Sequence, residues 1–171
     1  MLQTRLFGKI FFAMAEKTNV MRVLDSKKIA YKFFFYDADP TLTGSQIAGI
    51  LGENVECVFK TLVARGKTGK IYVFMVPVAE ELDLKKAASA ANEKFMEMLK
   101  AKELLPLTGY VHGGCSPVGM KKHYKTFAHK TAANFPEIYF SAGKVGAQVK
   151  TSFANLQKCV DISLADIIKD K

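Results

Sequence analysis

Cysteine is scarce in this chain, and its few copies are not spaced as pairs. Cys57, Cys115 and Cys159 are three in number, with no C-x-x-C among them. That pattern excludes both a disulfide framework and a thiolate zinc site. A reducing, cytoplasmic setting is therefore expected. The histidines, His112, His123 and His129, show no ligand spacing, so neither a metal nor a cofactor is expected. Apolar runs are short: none approaches the roughly 18 residues of a membrane-spanning helix, and no membrane partner is expected. Familiar catalytic signatures are missing too. There is no G-x-S-x-G elbow, no P-loop, no H-E-x-x-H and no G-x-G-x-x-G at a strand–helix junction. Any catalysis must then work mainly by binding and electrostatics, or borrow a group from its substrate.

Acid is what the C-terminal half lacks. The chain carries a net charge of +9 and a pI near 9.4. Between Leu104 and Val160 the only acidic residue is Glu137, against Lys121, Lys122, Lys125, Lys130, Lys144, Lys150 and Lys158. A solvated face would explain such a bias, but no block of like charge is long enough to read as disordered. A folded basic surface for a polyanionic partner is the better account, because clustered lysines release counterions from phosphates. The 171 residues, 49% of them hydrophobic, suffice for one domain with a substantial core.

At the N-terminus, "MLQTRLFGKIFFAMAEK" places two basic residues before an apolar run too short for a signal peptide. Residues 1–15 read as an extension, with Met14 the more natural start, and residues 16–171 as the domain proper. Thr18 or Asn19 caps a short amphipathic helix, "TNVMRVLDSKKI". "YKFFFY", Tyr31 to Tyr36, reads as a strand, and "TGSQIAGILG" as a helix capped by Thr43 or Ser45 and stopped by Gly52. "CVFKTLVA" and "IYVFMVPV", separated by "RGKTGK", signal a hairpin. "DLKKAASAANEKFMEML" is alanine-rich and reads as helical, in one piece or two, ended by "ELLPLTG". A short strand "GYVH" follows, then a second hairpin with strands Ile138 to Ser141 and Ala147 to Lys150, then a helix capped by Ser152. Hairpins among helices, without an even βαβ rhythm, give a single α+β domain with a mixed, mostly antiparallel sheet flanked by helices.

Lys60 is out of place between Val58, Phe59, Leu62 and Val63. It reads either as a half-exposed lysine or as an ammonium at a pocket mouth, where low dielectric strengthens its hold on a phosphate or carboxylate. In "YVHGGCSPVGMKK", Gly113 and Gly114 let the backbone approach a ligand, successive N–H groups form an anion nest or oxyanion hole, and Pro117 stiffens the loop. Cys115 invites a nucleophile reading with His112 as base, though a free cysteine is more often a small hydrophobe.

"VFKTLV", "TGYVHGGCSPVGMKK" and "SAGKVGAQV", in this order, resemble the YbaK/EbsC family of aminoacyl-tRNA deacylases, and most of all its Cys-tRNA(Pro) deacylases. That family is related to the editing domain inserted in bacterial prolyl-tRNA synthetases. The resemblance runs from about Glu16 to the end. It implies the barrel-like sheet of that fold, and a trans-editing hydrolase whose partners are mischarged tRNA and, transiently, prolyl-tRNA synthetase. By resemblance, Lys60 holds phosphate or ribose at the tRNA 3′ end, and Thr61 lines the substrate site. Gly113, Gly114 and Ser116 belong to the catalytic loop, where Cys115 and Pro117 border the substrate. Tyr36 lies near the pocket, and Gln148 stands where some members carry an acid. Neither metal nor cofactor is implied. Deacylation of alanyl or seryl tRNA, a noncatalytic tRNA-binding module, and a small-ester cysteine hydrolase using Cys115 are the competing readings.

Overall fold

The computed structural model describes residues 17–171; the extension expected over residues 1–15 lies outside the described residues. α1, Asn19–Ser26, begins where Thr18 Oγ1 accepts the Met21 N–H at 3.2 Å. Its buried Val20, Met21 and Leu24 form one apolar stripe. β1, Lys32–Phe35, forms from the aromatic run. α2, Gly44–Leu51, carries a full capping box: Thr43 Oγ1 accepts the Gln46 N–H, and the Gln46 side chain accepts the Thr43 N–H. A single 3₁₀ turn, Val55–Cys57, then leads into the first hairpin. Its strands, β2 (Phe59–Gly66) and β3 (Ile71–Pro77), pair antiparallel from Phe59↔Pro77 to Arg65↔Ile71.

The alanine-rich stretch departs from its helical reading. α3, Leu84–Ala90, is followed by β4, Met96–Met98, which pairs antiparallel with the end of β2. "ELLPLTG" does not end a helix but largely forms one: α4 spans Ala101–Thr108, with Pro106 in its last turn. There the ring withholds one N–H without breaking the helix. Glu103 fixes its start, accepting the Lys100 N–H at 3.0 Å and bonding Arg65 of β2 at 2.9 Å. No strand forms at "GYVH". The backbone there is committed to a loop: Thr108 Oγ1 accepts the Tyr110 N–H, and the Tyr110 hydroxyl donates to the Val118 carbonyl.

β5 (Lys125–His129), β6 (Ile138–Ser141), β7 (Ala147–Thr151), α5 (Phe153–Gln157) and β8 (Ile162–Ala165) complete the chain. Two sheets result, in strand order β1-β7-β6 and β4-β2-β3-β5-β8. The first is antiparallel throughout; in the second, only β3–β5 and β5–β8 run parallel. The domain is thus mixed and mostly antiparallel, as expected. The sheets do not close into a barrel but meet at a parallel bridge between Val58 and Tyr139.

Strand alternation gives the larger sheet two buried faces. Phe59, Val63, Val73, Met75 and Ala128 point into the main core, with α1, α5 and the three-stranded sheet. Ala64, Tyr72, Phe74, Val76 and Phe127 point into a second cluster with α3. Among the described residues no helix is long and apolar enough to cross a membrane.

Candidate active site

β2 pairs with β3 along its length but with β4 only from Ala64 to Gly66. The stretch from Phe59 to Val63 therefore has one open edge. A cleft of about 630 Å³ runs along it, walled by α2, α4 and the glycine loop. The ladder decides what the edge presents. Val78 N–H donates to the Val58 carbonyl and Gly66 N–H to the Lys70 carbonyl, each at 2.9 Å. The even-numbered residues of β2 thus bond toward β3, and the odd ones turn to the other edge. There the Val63 carbonyl accepts the Leu99 N–H at 3.2 Å, which leaves the Thr61 main chain facing the cleft. Thr61 Oγ1 also lies buried, without a hydrogen-bond partner among the described residues.

Lys60 and Thr61 project to opposite faces of β2, and the cleft gathers both because it wraps the open edge. Lys60 is half-buried, and among the described residues its Nζ reaches only the Val78 carbonyl, at 3.5 Å. Among the described residues no carboxylate comes within ion-pair distance of it. Burial lowers its pKa, with Glu81 and Glu80 pulling weakly the other way. A cation held in this way attracts an anionic or strongly polar ligand.

The loop after α4 lines the same cleft through His112, Gly113 and Cys115. Gly113, at φ +82, adopts the left-handed backbone that favours glycine. Gly114 packs on the β6–β7 turn so closely that an added Cβ would lie 3.0 Å from the Lys144 Cα and the Val145 nitrogen. Its own N–H bonds the Val111 carbonyl at 3.0 Å. Ser116 is fully buried behind the loop, its Oγ accepting the Val118 N–H at 3.4 Å.

Of the nine residues singled out from the sequence, Tyr36, Lys60, Thr61, Gly113, Cys115 and Gln148 line this one cleft. Gly114, Ser116 and Pro117 do not; the first two brace the loop from behind, and Pro117 lines a separate cavity. Cys115 is buried, and its thiol is pushed up to about 12 by that burial, so it is neutral at ordinary pH. Tyr36 extends the β1–β7 ladder by donating its N–H to the Gly146 carbonyl at 2.9 Å. Burial raises its phenol pKa. Among the described residues no group of three or more His, Cys, Asp or Glu is placed to hold a metal ion.

Sequence reasoning missed Glu53. With its amide nitrogen turned to Glu53, Gln148 donates to both carboxylate oxygens, at 2.8 and 3.1 Å. The opposite orientation sets oxygen against oxygen. Nothing in "LGENVEC" marks Glu53, because its partner comes from a strand far along the chain. Burial pushes this carboxyl up from 4.5 to about 7, opposed by the Lys150 ammonium. A carboxyl raised on folding contributes stability that is complete below pH 4.5 and is lost as pH rises through about 7. Glu53→Gln, which keeps a partner for Gln148, is expected to melt above wild type near pH 8 and level with it near pH 4. Thermal unfolding at the two pH values measures this; a variant melting below wild type near pH 8 would refute the burial account.

The chain belongs to the aminoacyl-tRNA editing domain family, whose model matches residues 38–159. A curated protein of Enterococcus faecalis (strain ATCC 700802 / V583), "Putative Cys-tRNA(Pro)/Cys-tRNA(Cys) deacylase EbsC", is 43% identical over 137 residues. The match covers 79% of this chain and 83% of that protein. A solved structure described as a "putative trans-editing enzyme for prolyl tRNA synthetase" aligns with a TM-score of 0.79 at 25% identity, covering 89% of this chain and 96% of that one. The crystal structure of the hypothetical protein APE2540 shares the fold, with a TM-score of 0.80 at 21% identity over 88% of this chain and 99% of that one.

Proposed function

We propose that this protein hydrolyses the aminoacyl ester of mischarged tRNA in trans, with Cys-tRNA(Pro) as its substrate. One observation carries the reading: a single cleft gathers a half-buried Lys60, which has no carboxylate partner among the described residues, and a glycine loop whose one thiol, Cys115, is kept neutral by burial. A site so equipped binds and polarises an acyl ester rather than attacking it. The 43%-identical relative and the trans-editing structure carry the same chemistry in their names.

In this reading, Lys60 anchors the phosphate or ribose of the terminal nucleotide. The backbone around Gly113 receives the ester carbonyl, and Thr61 and Gln148 offer polar contacts to the amino acid. The substrate's own thiol attacks its carbonyl. The C–S bond forms as the C–O bond to ribose breaks, the thiol proton passes to the departing ribose oxygen, and a four-membered thiolactone leaves to be hydrolysed in water. Positioning is the enzyme's share, and in favourable intramolecular cases it is worth up to roughly 7–11 kcal/mol. Gly114 and Ser116 serve by holding the loop in register. Prolyl-tRNA synthetase, which mischarges because a pocket gains only roughly 1–3 kcal/mol from one methylene, is the transient partner, and the cytoplasm the compartment.

Hydrolysis of Cys-tRNA(Pro) and Ala-tRNA(Pro) by the wild-type protein is the test. Rapid loss of the cysteinyl ester supports the reading. Cleavage of neither ester would bring forward a noncatalytic tRNA-binding role. Cys115→Ser is expected to alter the fit of the substrate without abolishing cleavage, since a thiol raised to about 12 is no nucleophile; complete inactivation, matched by alkylation, would restore the cysteine-hydrolase reading.

A further inference from the structure

The basic excess of the C-terminal half has a place in the fold that the cleft does not use. A second cavity, of about 350 Å³, opens between the end of α1, the chain from Pro117 to Thr126, and the turn before β8. Pro117 and Gly119 line it, whereas His112, Gly113 and Cys115 line the cleft, so one loop separates the two. Around this cavity stand Lys27, Lys122, His123 and Lys125, with Asp161 its single acid. The Lys125 ammonium is already engaged, by Asp161 and by Ser163 Oγ, both at 2.9 Å. Lys27 and Lys122 are exposed. Among the described residues neither has a carboxylate within ion-pair distance. The one acid is thus neutralised locally, and two cations are left flanking the cavity with no carboxylate counter-charge among the described residues. Lysine ammoniums without acceptors of their own can bind phosphate as compact point charges, without the bidentate fork of an arginine.

We propose that this cavity is a binding site for RNA backbone phosphate, in which Lys27 and Lys122 hold the acceptor end of the tRNA while its terminal aminoacyl nucleoside occupies the cleft across the loop. The inference rests on the tRNA reading above and adds to it a second point of attachment. It explains how a cleft without base-reading motifs engages a whole tRNA: the grip is on backbone charge, outside the chemistry. It also gives the loop a double duty, with its Gly113 side toward the ester and its Pro117 side toward the phosphates.

The experiment uses the double variant Lys27→Glu/Lys122→Glu beside a control of equal charge change, Lys85→Glu/Lys94→Glu, on exposed positions elsewhere. Uncharged tRNA binding is measured against salt, and hydrolysis is measured on Cys-tRNA(Pro) and on the small ester 2′(3′)-O-cysteinyl-adenosine. The double variant is expected to bind tRNA at least about tenfold more weakly, with a salt slope shallower by about two. It should lose activity on tRNA in proportion while cleaving the small ester at the wild-type rate. Equal weakening by the control pair, unchanged tRNA affinity, or equal loss on both esters would overturn the proposal. Protection of the cavity by inorganic phosphate alone, with tRNA affinity unaltered in the double variant, would assign it to a small phosphate ligand and overturn it likewise. A wild-type protein that cleaves neither ester, but whose tRNA affinity falls only in the double variant, would remove the deacylase reading and keep this site.

Discussion

Lys60→Met is expected to cut kcat/KM on Cys-tRNA(Pro) by about 10²–10³-fold, the scale seen when one preorganised electrostatic contact is removed, while the melting temperature holds or rises. The two halves of that expectation have one cause. Burial disfavours the Lys60 ammonium, its one hydrogen bond among the described residues is a 3.5 Å reach to the Val78 carbonyl, and the lowered pKa records the net cost. A lysine whose pKa falls on folding costs stability while charged, and the cost fades as pH climbs toward the ordinary 10.5. Methionine keeps an unbranched apolar stem and removes the charge, so the fold loses only the 3.5 Å reach to the Val78 carbonyl. The ligand loses its anchor. Lys60→Arg should recover only part of the activity, because a planar guanidinium does not replace a compact ammonium in a tight opening. Single-turnover kinetics with thermal unfolding on the same preparations decide the matter. Full activity in Lys60→Met would sink the anchor role, and loss of activity that tracks loss of folding would make Lys60 structural.

That Lys60 lines the cleft was legible in the sequence because it broke a local rule: a cation inside an apolar run, on a strand framed by a clear hairpin. The glycine loop was legible for the same reason, since Gly113 needs a backbone most residues avoid. What stayed hidden depends on distant pairing. β4 is three residues inside an alanine-rich stretch and exists because the end of β2 beside its turn, Ala64 to Gly66, receives it on the edge away from β3. β5 and β8 are short and carry Lys125, His129 and Ser163; their parallel neighbours, not their patterns, make them strands. Pro106 read as a stop because in isolation it usually is one, yet the Arg65–Glu103 bond ties α4 to β2 regardless. That misreading also hid a wall of the cleft, since Leu99 and Leu104 reach it only if α4 forms. Glu53 was invisible for the same reason: its meaning comes from Gln148.

The second large effect lies in the substrate rather than the protein. Replacing the cysteinyl thiol by hydroxyl, as Ser-tRNA(Pro), is expected to slow cleavage by roughly 10³-fold or more, on the scale that separates a well-placed intramolecular nucleophile from solvent. The two esters differ by one atom and match closely in size, so the cleft binds them alike and KM should move little. The fall belongs in kcat. It follows from what the cleft lacks as much as from what it holds. Cys115 is the cleft's own thiol and stays protonated at about 12, whereas a substrate thiol with a free pKa near 8.5 supplies thiolate near neutral pH. The Thr61 hydroxyl is buried, with no hydrogen-bond partner among the described residues, and so is not placed to activate a water in the cleft. If the thiol is the nucleophile, trapping with a strong amine should intercept a cysteinyl thiolactone, and S-methylcysteinyl-tRNA should resist cleavage while still competing for the site. Equal kcat on seryl and cysteinyl esters would instead mean that the enzyme positions a water, and the polar groups of the open β2 edge would become the place to look for what holds it.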